Sequence, residues 1–258
     1  MKGYGPHSYG DGFADVYDDW YPDVTDVEGT VAFVAALAPG GRVVELGIGT
    51  GRIALPLLEA GLAVSGVDAS GPMLARLADK PRADELTVVE GDMSETLPPG
   101  RFDVALATYN TFFNLTEPGA QERCLALVFD ALRPGGRLVL ETFVADDDPD
   151  GATAGVSPRT IEADRVVLTV SRRDPAEQVV DGQMVELSAG GIRMRPWSIR
   201  YRTPPQLDQL TAVAGFELEA RWSDWRGAVF DPDGPHQVVV YRRPSRQTGA
   251  HPPESDVR

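Results

Sequence analysis

Between residues 42 and 144 the chain alternates short aliphatic, β-branched runs with stretches whose apolar positions recur at helical spacing. That alternation predicts βαβ units around a parallel sheet. Strands are expected at 42–46, 62–67, 86–89, 102–107 and 137–143, and helices at 52–60, 70–79 and 117–132. The last helix is stopped by Arg133-Pro134-Gly135-Gly136. The rhythm then changes. Residues 145–156, rich in Asp, Gly and Pro, read as a loop, and 160–202 as three antiparallel strands with Ala189-Gly190-Gly191 at a hairpin turn. Pro204-Pro205 opens a helix to residue 214, since proline fits a first turn whose N–H groups have no helical partner. Strands at 216–222 and 237–242 follow, then a polar tail from Pro244 that is expected to be disordered.

Upstream, an acidic and aromatic stretch at 15–21 precedes a helix at 27–37. The chain thus divides into an N-terminal helical cap (1–40), a core (41–144 and 204–243), an antiparallel β insert (145–203) and the tail (244–258). The expected fold class is α/β: a Rossmann-like, mostly parallel seven-stranded sheet, with the insert leaving after strand five as a lid.

Composition narrows the chemistry. With 258 residues, 42% hydrophobic and 24% charged, the chain has enough apolar material for one large packed domain. A net charge of −15 disfavours phosphate backbones and anionic lipid, so neither nucleic acid nor membrane is expected as a partner. Cys124 is the single cysteine, so no intrachain disulfide can form and a reducing, cytoplasmic setting is the natural reading. Spaced helically with Leu127, Val128 and Ala131, Cys124 reads as a core residue. No apolar run spans a bilayer, residues 1–6 lack the apolar core of a signal peptide, and no metal site is expected.

The strongest chemical signal is Val43-Val44-Glu45-Leu46-Gly47-Ile48-Gly49-Thr50-Gly51. A buried strand runs into a turn whose alternating glycines let backbone approach a ligand. The helix that follows at once offers free N–H groups and a positive dipole end, suited to a carboxylate. A dinucleotide turn would want its third glycine at position 52, where Arg52 stands. The E-x-G-x-G-T-G form instead resembles the first motif of class I S-adenosylmethionine-dependent methyltransferases. Asp68 at the end of strand two and Gly91-Asp92-Met93 after strand three agree with that family. So does the final strand pair, whose last member runs antiparallel in these enzymes.

Within the family the chain is most similar to small-molecule enzymes typified by the aminosugar N-methyltransferases of antibiotic pathways. The resemblance implies S-adenosyl-L-methionine as cofactor, with Glu45, Gly47, Gly49, Thr50, Gly51 and Arg52 at the glycine turn. It places Asp68 on the ribose hydroxyls, Asp92 on the adenine amino group and Met93 on the ring, and adds Ala69, Met73, Gly91 and Thr108 to the cofactor set. Tyr9, Tyr17 and Trp20 would close over the methionine end, where aromatic faces favour a sulfonium.

Ligands of open α/β sheets bind outside the carboxyl ends of the parallel strands. That rim holds the segment 108–114, the start of the insert and the loop 223–235. Tyr9, Tyr109 and His236 are the candidate bases. Asn114 stands where aminosugar enzymes place a histidine, and asparagine orients a donor without accepting a proton at neutral pH. Arg193, Arg195, Arg200 and Arg202 read first as solvated strand faces and second as a grip on an anionic substrate group. The resulting expectation is methylation of an amino group on a sugar or natural product, with oxygen or carbon methylation as the alternative. A nicotinamide-dependent oxidoreductase is the rival of a different class, opposed by Arg52 and Gly91-Asp92-Met93. A module that senses S-adenosylmethionine without catalysis is another. A homodimer is an open option.

Overall fold

The computed structural model describes residues 1–22, 24–145 and 153–245. Its strands are β1 (Arg42–Leu46), β2 (Ala63–Asp68), β3 (Thr87–Glu90), β4 (Phe102–Ala107), β5 (Leu132–Phe143), β6 (Ala154–Ile161), β7 (Arg165–Asp174), β8 (Val179–Ser188), β9 (Gly191–Arg200), β10 (Glu217–Trp222) and β11 (His236–Arg242). Seven of them form one sheet in the order β10-β11-β5-β4-β1-β2-β3. It is parallel from β3 to β5, and β11 runs antiparallel to both of its neighbours. The other four, β6-β7-β8-β9, make a separate antiparallel sheet. The expected architecture holds.

Side chains alternate across each strand, so a sheet covered on both faces needs two cores. Val44 and Leu46 point into one with Phe102, Phe113, Cys124 and Leu140. Val43 and Val104 point into the other with Leu57, Leu77 and Trp225. Helices α1 (Ser8–Phe13), α2 (Tyr17–Trp20), α3 (Val27–Leu37), α4 (Ala54–Glu59), α5 (Gly71–Ala78), α6 (Ala120–Ala131) and α7 (Pro204–Val213) complete the order. Ser70 caps α5 by accepting from the Met73 N–H, and Asp26 caps α3 by accepting from the Gly29 N–H.

Three expectations need correction. The insert has four strands, not three. The loop expected over 145–156 ends early: β6 already begins at Ala154 as an edge strand, where a proline and the register shift between Pro158 and Thr160 are tolerated. Strand five begins at Leu132, before the Arg133-Pro134-Gly135-Gly136 segment. Leu132 pairs with Phe102 and Arg137 with Val104, so the intervening residues bulge between two rungs without ending the strand. Helix α6 starts at Ala120, because Gly119 at φ +80° lies outside helical geometry. Part of the expected loop (146–152) and the tail from 246 onward lie outside the described residues. Among the described residues, no helix is long and apolar enough to cross a membrane.

The insert sheet is tied to the N-terminal helices by Arg195. Its buried guanidinium donates to the Gly12 carbonyl (2.6 Å), to both Asp15 oxygens (2.6 and 3.1 Å) and to Glu186 (3.3 Å). Arg193 also pairs with Asp15, at 2.7 Å. Arg200 donates to the Thr116 and Glu177 carbonyls, and Arg202 to Gln121 and Gln178. The four arginines, expected on solvated strand faces or, second, as a grip on an anionic substrate group, instead join the insert to its surroundings.

Candidate functional site

The turn after β1 has the geometry that its glycines require. Gly47, Gly49 and Gly51 sit at φ +69°, +54° and +79°, where a side chain is strained. The N–H groups of Gly47 and Ile48 both donate to the Val67 carbonyl, at 2.8 and 3.0 Å. A Cβ on Gly47 would lie 2.4 Å from the Thr111 methyl, and one on Gly51 would lie 2.4 Å from Leu77. Asp68, at the end of β2, accepts from the Gly49 N–H (2.8 Å) and the Ser70 N–H (2.9 Å). Burial raises its pKa, and those two donors oppose the rise.

Over this turn opens a cleft at the carboxyl rim of β1, β2 and β3. Gly47, Gly49, Asp68, Ala69 and Met73 line one side, and Gly91, Asp92, Met93 and Asn114 another. Tyr9 and Tyr17 close it from the cap. The structure thus brings eleven of the sequence-derived candidates to one wall. It adds four residues that the sequence did not point to, Pro6, Gly10, Val67 and Leu115, and Thr111 from within the rim segment 108–114. Gly10 carried a usable signal, a glycine inside a short helix. A Cβ there would lie 2.3 Å from Ser70 Cβ, so glycine lets α1 lie against the start of α5. Thr111 carried only its place in the rim segment, because its contact with Gly47 exists only once β4 lies beside β1.

Behind the wall lie an acidic and a basic side chain. Glu45 has an Oε2 with no hydrogen-bond partner, and burial pushes its pKa up to about 8 against the opposing pull of Arg52. Arg52 Nε and Nη1 are likewise buried and without a partner. Its guanidinium also meets the Tyr17 hydroxyl.

The cap contributes a cluster of rings. Tyr9 stacks on Phe13 at 4.6 Å between centroids, meets Tyr17 edge-on at 6.4 Å, and is hydrogen-bonded to the Tyr21 hydroxyl. Tyr21 in turn meets Tyr109 at 5.9 Å. Burial holds the phenols of Tyr9, Tyr17 and Tyr109 above the ordinary tyrosine value, and pushes Tyr21 up to about 12. All four remain protonated donors at neutral pH.

Other candidates lie off the wall. Thr50 Oγ1 donates to Asp18 at 2.6 Å, and Lys80 pairs with the same carboxylate at 2.8 Å, so Thr50 fastens the cap to the turn. Thr108 is buried and its carbonyl accepts from the Thr111 N–H at 3.0 Å. Trp20 faces Phe13 and the guanidinia of Arg159 and Arg195, away from the cleft. His236 pairs with Phe143 at the rim of the sheet, but it is exposed and outside the cleft wall. Among the described residues, no group of three or more His, Cys, Asp or Glu could hold a metal ion.

Residues 43–136 match the family model of a methyltransferase domain. The CcbJ methyltransferase of Streptomyces caelestis is 35% identical in sequence; its structure matches with a TM-score of 0.87 over 94% of this chain and 100% of that one. The chain belongs to the S-adenosylmethionine-dependent methyltransferases. This methyltransferase is also 27% identical to the cypemycin N-terminal methyltransferase of a Streptomyces species, over 92% of its own length and 98% of that protein. The S-adenosylmethionine-bound structure of CalS10, an amino pentose methyltransferase of Micromonospora echinaspora, shares the fold at 23% identity. Its TM-score is 0.59, over 94% of this chain and 93% of that one.

The residues of this methyltransferase fit its cofactor. Gly47 and Gly51 have no room for a Cβ, Asp68 and Asp92 put carboxyl groups on the wall, and Arg52 Nε and Nη1 and Glu45 Oε2 are buried polar atoms without partners. An amino acid's carboxylate and ammonium have the complementary donors and acceptors.

Proposed function

We propose that this methyltransferase transfers the methyl group to an amine nitrogen of a small natural product, an amino sugar among the options. The observation that carries this reading is the absence of a base on the described cleft wall. Tyr9 and Tyr17 are held protonated by burial, Asn114 cannot accept a proton, and the two carboxylates there are engaged by backbone N–H groups, Asp68 by Gly49 and Ser70 and Asp92 by Ser94, and are assigned to the cofactor. A hydroxyl or carbon acid needs a base to make it nucleophilic, whereas an amine loses its proton to water and attacks as the free base. The names of the cypemycin enzyme and of CalS10, an N-terminal and an amino pentose methyltransferase, support the same reading.

Bound S-adenosylmethionine supplies an electrophilic methyl group on a sulfonium and a thioether as leaving group. In the proposed arrangement Asp68 accepts from the ribose hydroxyls, Asp92 from the adenine amino group, and Met93 packs on the ring. Arg52 takes the cofactor carboxylate. Tyr9 and Tyr17 cover the methionine end and exclude water. Asn114 accepts a hydrogen bond from the amine and so aims its lone pair. Positioning and desolvation then provide the catalysis. The test is a panel of amine and hydroxyl acceptors incubated with methyl-labelled cofactor. Label on nitrogen products is expected; turnover confined to hydroxyl or carbon acceptors overturns the assignment.

A further inference from the structure

The bend after β4 leads into one 3₁₀ turn, Thr111–Asn114, whose four side chains divide two and two. Phe112 and Phe113 are fully buried and enter the core with Val44 and Leu140. Thr111 and Asn114 are half-buried, and both line the cleft. Residues three apart eclipse in a 3₁₀ helix, so these two share a face, with Cα atoms about 6 Å apart. The Thr111 methyl group is the part turned to Gly47: a Cβ there would lie 2.4 Å from Cγ2 but 3.7 Å from Oγ1. The hydroxyl thus stands beside the glycine turn without being spent on it. Asn110 gives its side chain to the Phe143 N–H, whereas those of Thr111 and Asn114 have no hydrogen-bond partner among the described residues.

We infer that Thr111 Oγ1 and Asn114 Oδ1 form a two-point cradle for the acceptor amine, each accepting from one of its N–H groups. This rests on the nitrogen reading above and adds to it a residue, Thr111, and a requirement, that the acceptor carry at least one N–H. Geometry supports it. An amino group with both hydrogens bonded at ordinary distances holds the two oxygens about 5 Å apart, which suits side chains rising from Cα atoms about 6 Å apart. Chemistry agrees, because both oxygens are neutral and weakly basic, so they orient an uncharged amine and leave its lone pair free. An alcohol has one hydrogen to offer and would leave one oxygen idle. Position agrees as well: β4 lies on the opposite side of β1 from β2 and β3, whose ends carry the carboxylates assigned to ribose and adenine. The two left-handed residues before the turn, Tyr109 and Asn110, fix where the cradle stands. As the nitrogen lone pair forms the new N–C bond, the S–C bond breaks with its electron pair left on sulfur. The ammonium so formed loses its extra proton to water on release. A tertiary amine has no N–H for either oxygen.

The test takes the fastest amine of the acceptor panel, its N-methylated derivatives up to the tertiary amine, and the full chain with methyl-labelled S-adenosylmethionine. Thr111→Val keeps the shape and the methyl contact with Gly47 but removes the oxygen. It should lower kcat/KM for the amine about five- to tenfold, the worth of one neutral hydrogen bond, with cofactor Kd and Tm unchanged. Thr111→Ser, which keeps the hydroxyl, should recover most of that loss, as a packing role would not. The tertiary amine should take no label. Native turnover in Thr111→Val overturns this inference alone. An equal loss of cofactor affinity also overturns it, since the hydroxyl then faces the cofactor, and so does a tertiary amine methylated as fast as its parent. Turnover confined to hydroxyl or carbon acceptors overturns it together with the nitrogen reading. Should Thr111→Val fail to fold, Thr111→Cys, whose sulfur is a weak acceptor, carries the same comparison against Thr111→Ser.

Discussion

The Tyr109 N–H donates to a carboxylate oxygen of Glu141 at 2.7 Å, and this contact pins the turn that follows β4. Tyr109 and the next residue, Asn110, are both in left-handed backbone, at φ +46° and +64°. Such geometry in non-glycine residues costs about 1–3 kcal/mol each and persists only where surroundings hold it. Glu141 also accepts from Thr25 Oγ1 and Trp225 Nε1, each at 2.9 Å, so one carboxylate joins the cap, the β4 turn and the β10–β11 loop. The Asn110 side chain completes the clamp by accepting from the Phe143 N–H at 2.6 Å.

Removing that carboxylate strands three donors at once. Glu141→Ala should lower the unfolding free energy by about 2–4 kcal/mol in denaturant titration. Tyr109 should then lose its place, raising the acceptor KM more than the cofactor Kd. Equal losses in both would show that the clamp serves the whole fold and not the acceptor side.

Asp68 presents a buried carboxylate to the cleft. Asp68→Ala should weaken S-adenosylmethionine binding roughly 10- to 100-fold, because a hydrogen bond to a charged acceptor is worth about 1.5–3 kcal/mol. Isothermal calorimetry reads this directly, and an unchanged affinity would remove the ribose assignment.

Glu45 links the site to pH. Its carboxyl titrates near 8 in the folded chain, against about 4.3 when unfolded. Between those values the folded state holds a proton that the unfolded state has released, so stability falls as pH rises through the window, with a slope of up to about 1.4 kcal/mol per pH unit. Without added cofactor, melting temperature should therefore decline from about pH 5 to pH 8. Glu45→Gln should flatten the curve. A wild-type profile already flat across that range would mean the carboxyl is not buried as described.

His236 is exposed at the start of β11 and touches none of the cleft wall. His236→Ala should retain most of the turnover measured with the best acceptor of the panel. A fall of a hundredfold or more, with cofactor affinity intact, would make His236 the base and return oxygen acceptors to consideration.

Legibility followed the range of the interactions. The glycine turn, Asp68 and Gly91-Asp92-Met93 could be read because each closes a strand within a few residues of its own sequence. His236 was misplaced relative to the cleft because rim position along a strand does not say which way a side chain faces. The insert arginines read as solvated or anion-gripping because their partners, Asp15, Thr116 and Gln121, are distant in sequence. The start of strand β6 was hidden within the Asp-, Gly- and Pro-rich stretch 145–156, whose local preference is overridden from Ala154 onward by pairing with β7.

The chain's own pattern therefore determined the order of strands and helices, the glycine turn and the two acidic strand ends, since periodicity and local backbone geometry suffice for these. Tertiary structure alone decided which tyrosines reach the cleft, how Glu45 Oε2 and Arg52 Nε and Nη1 come to be buried without partners, and which face of the insert is left bare. Those outcomes depend on packing between segments far apart in the chain, where the burial that sets a charge or exposes a surface is a property of the assembled layers.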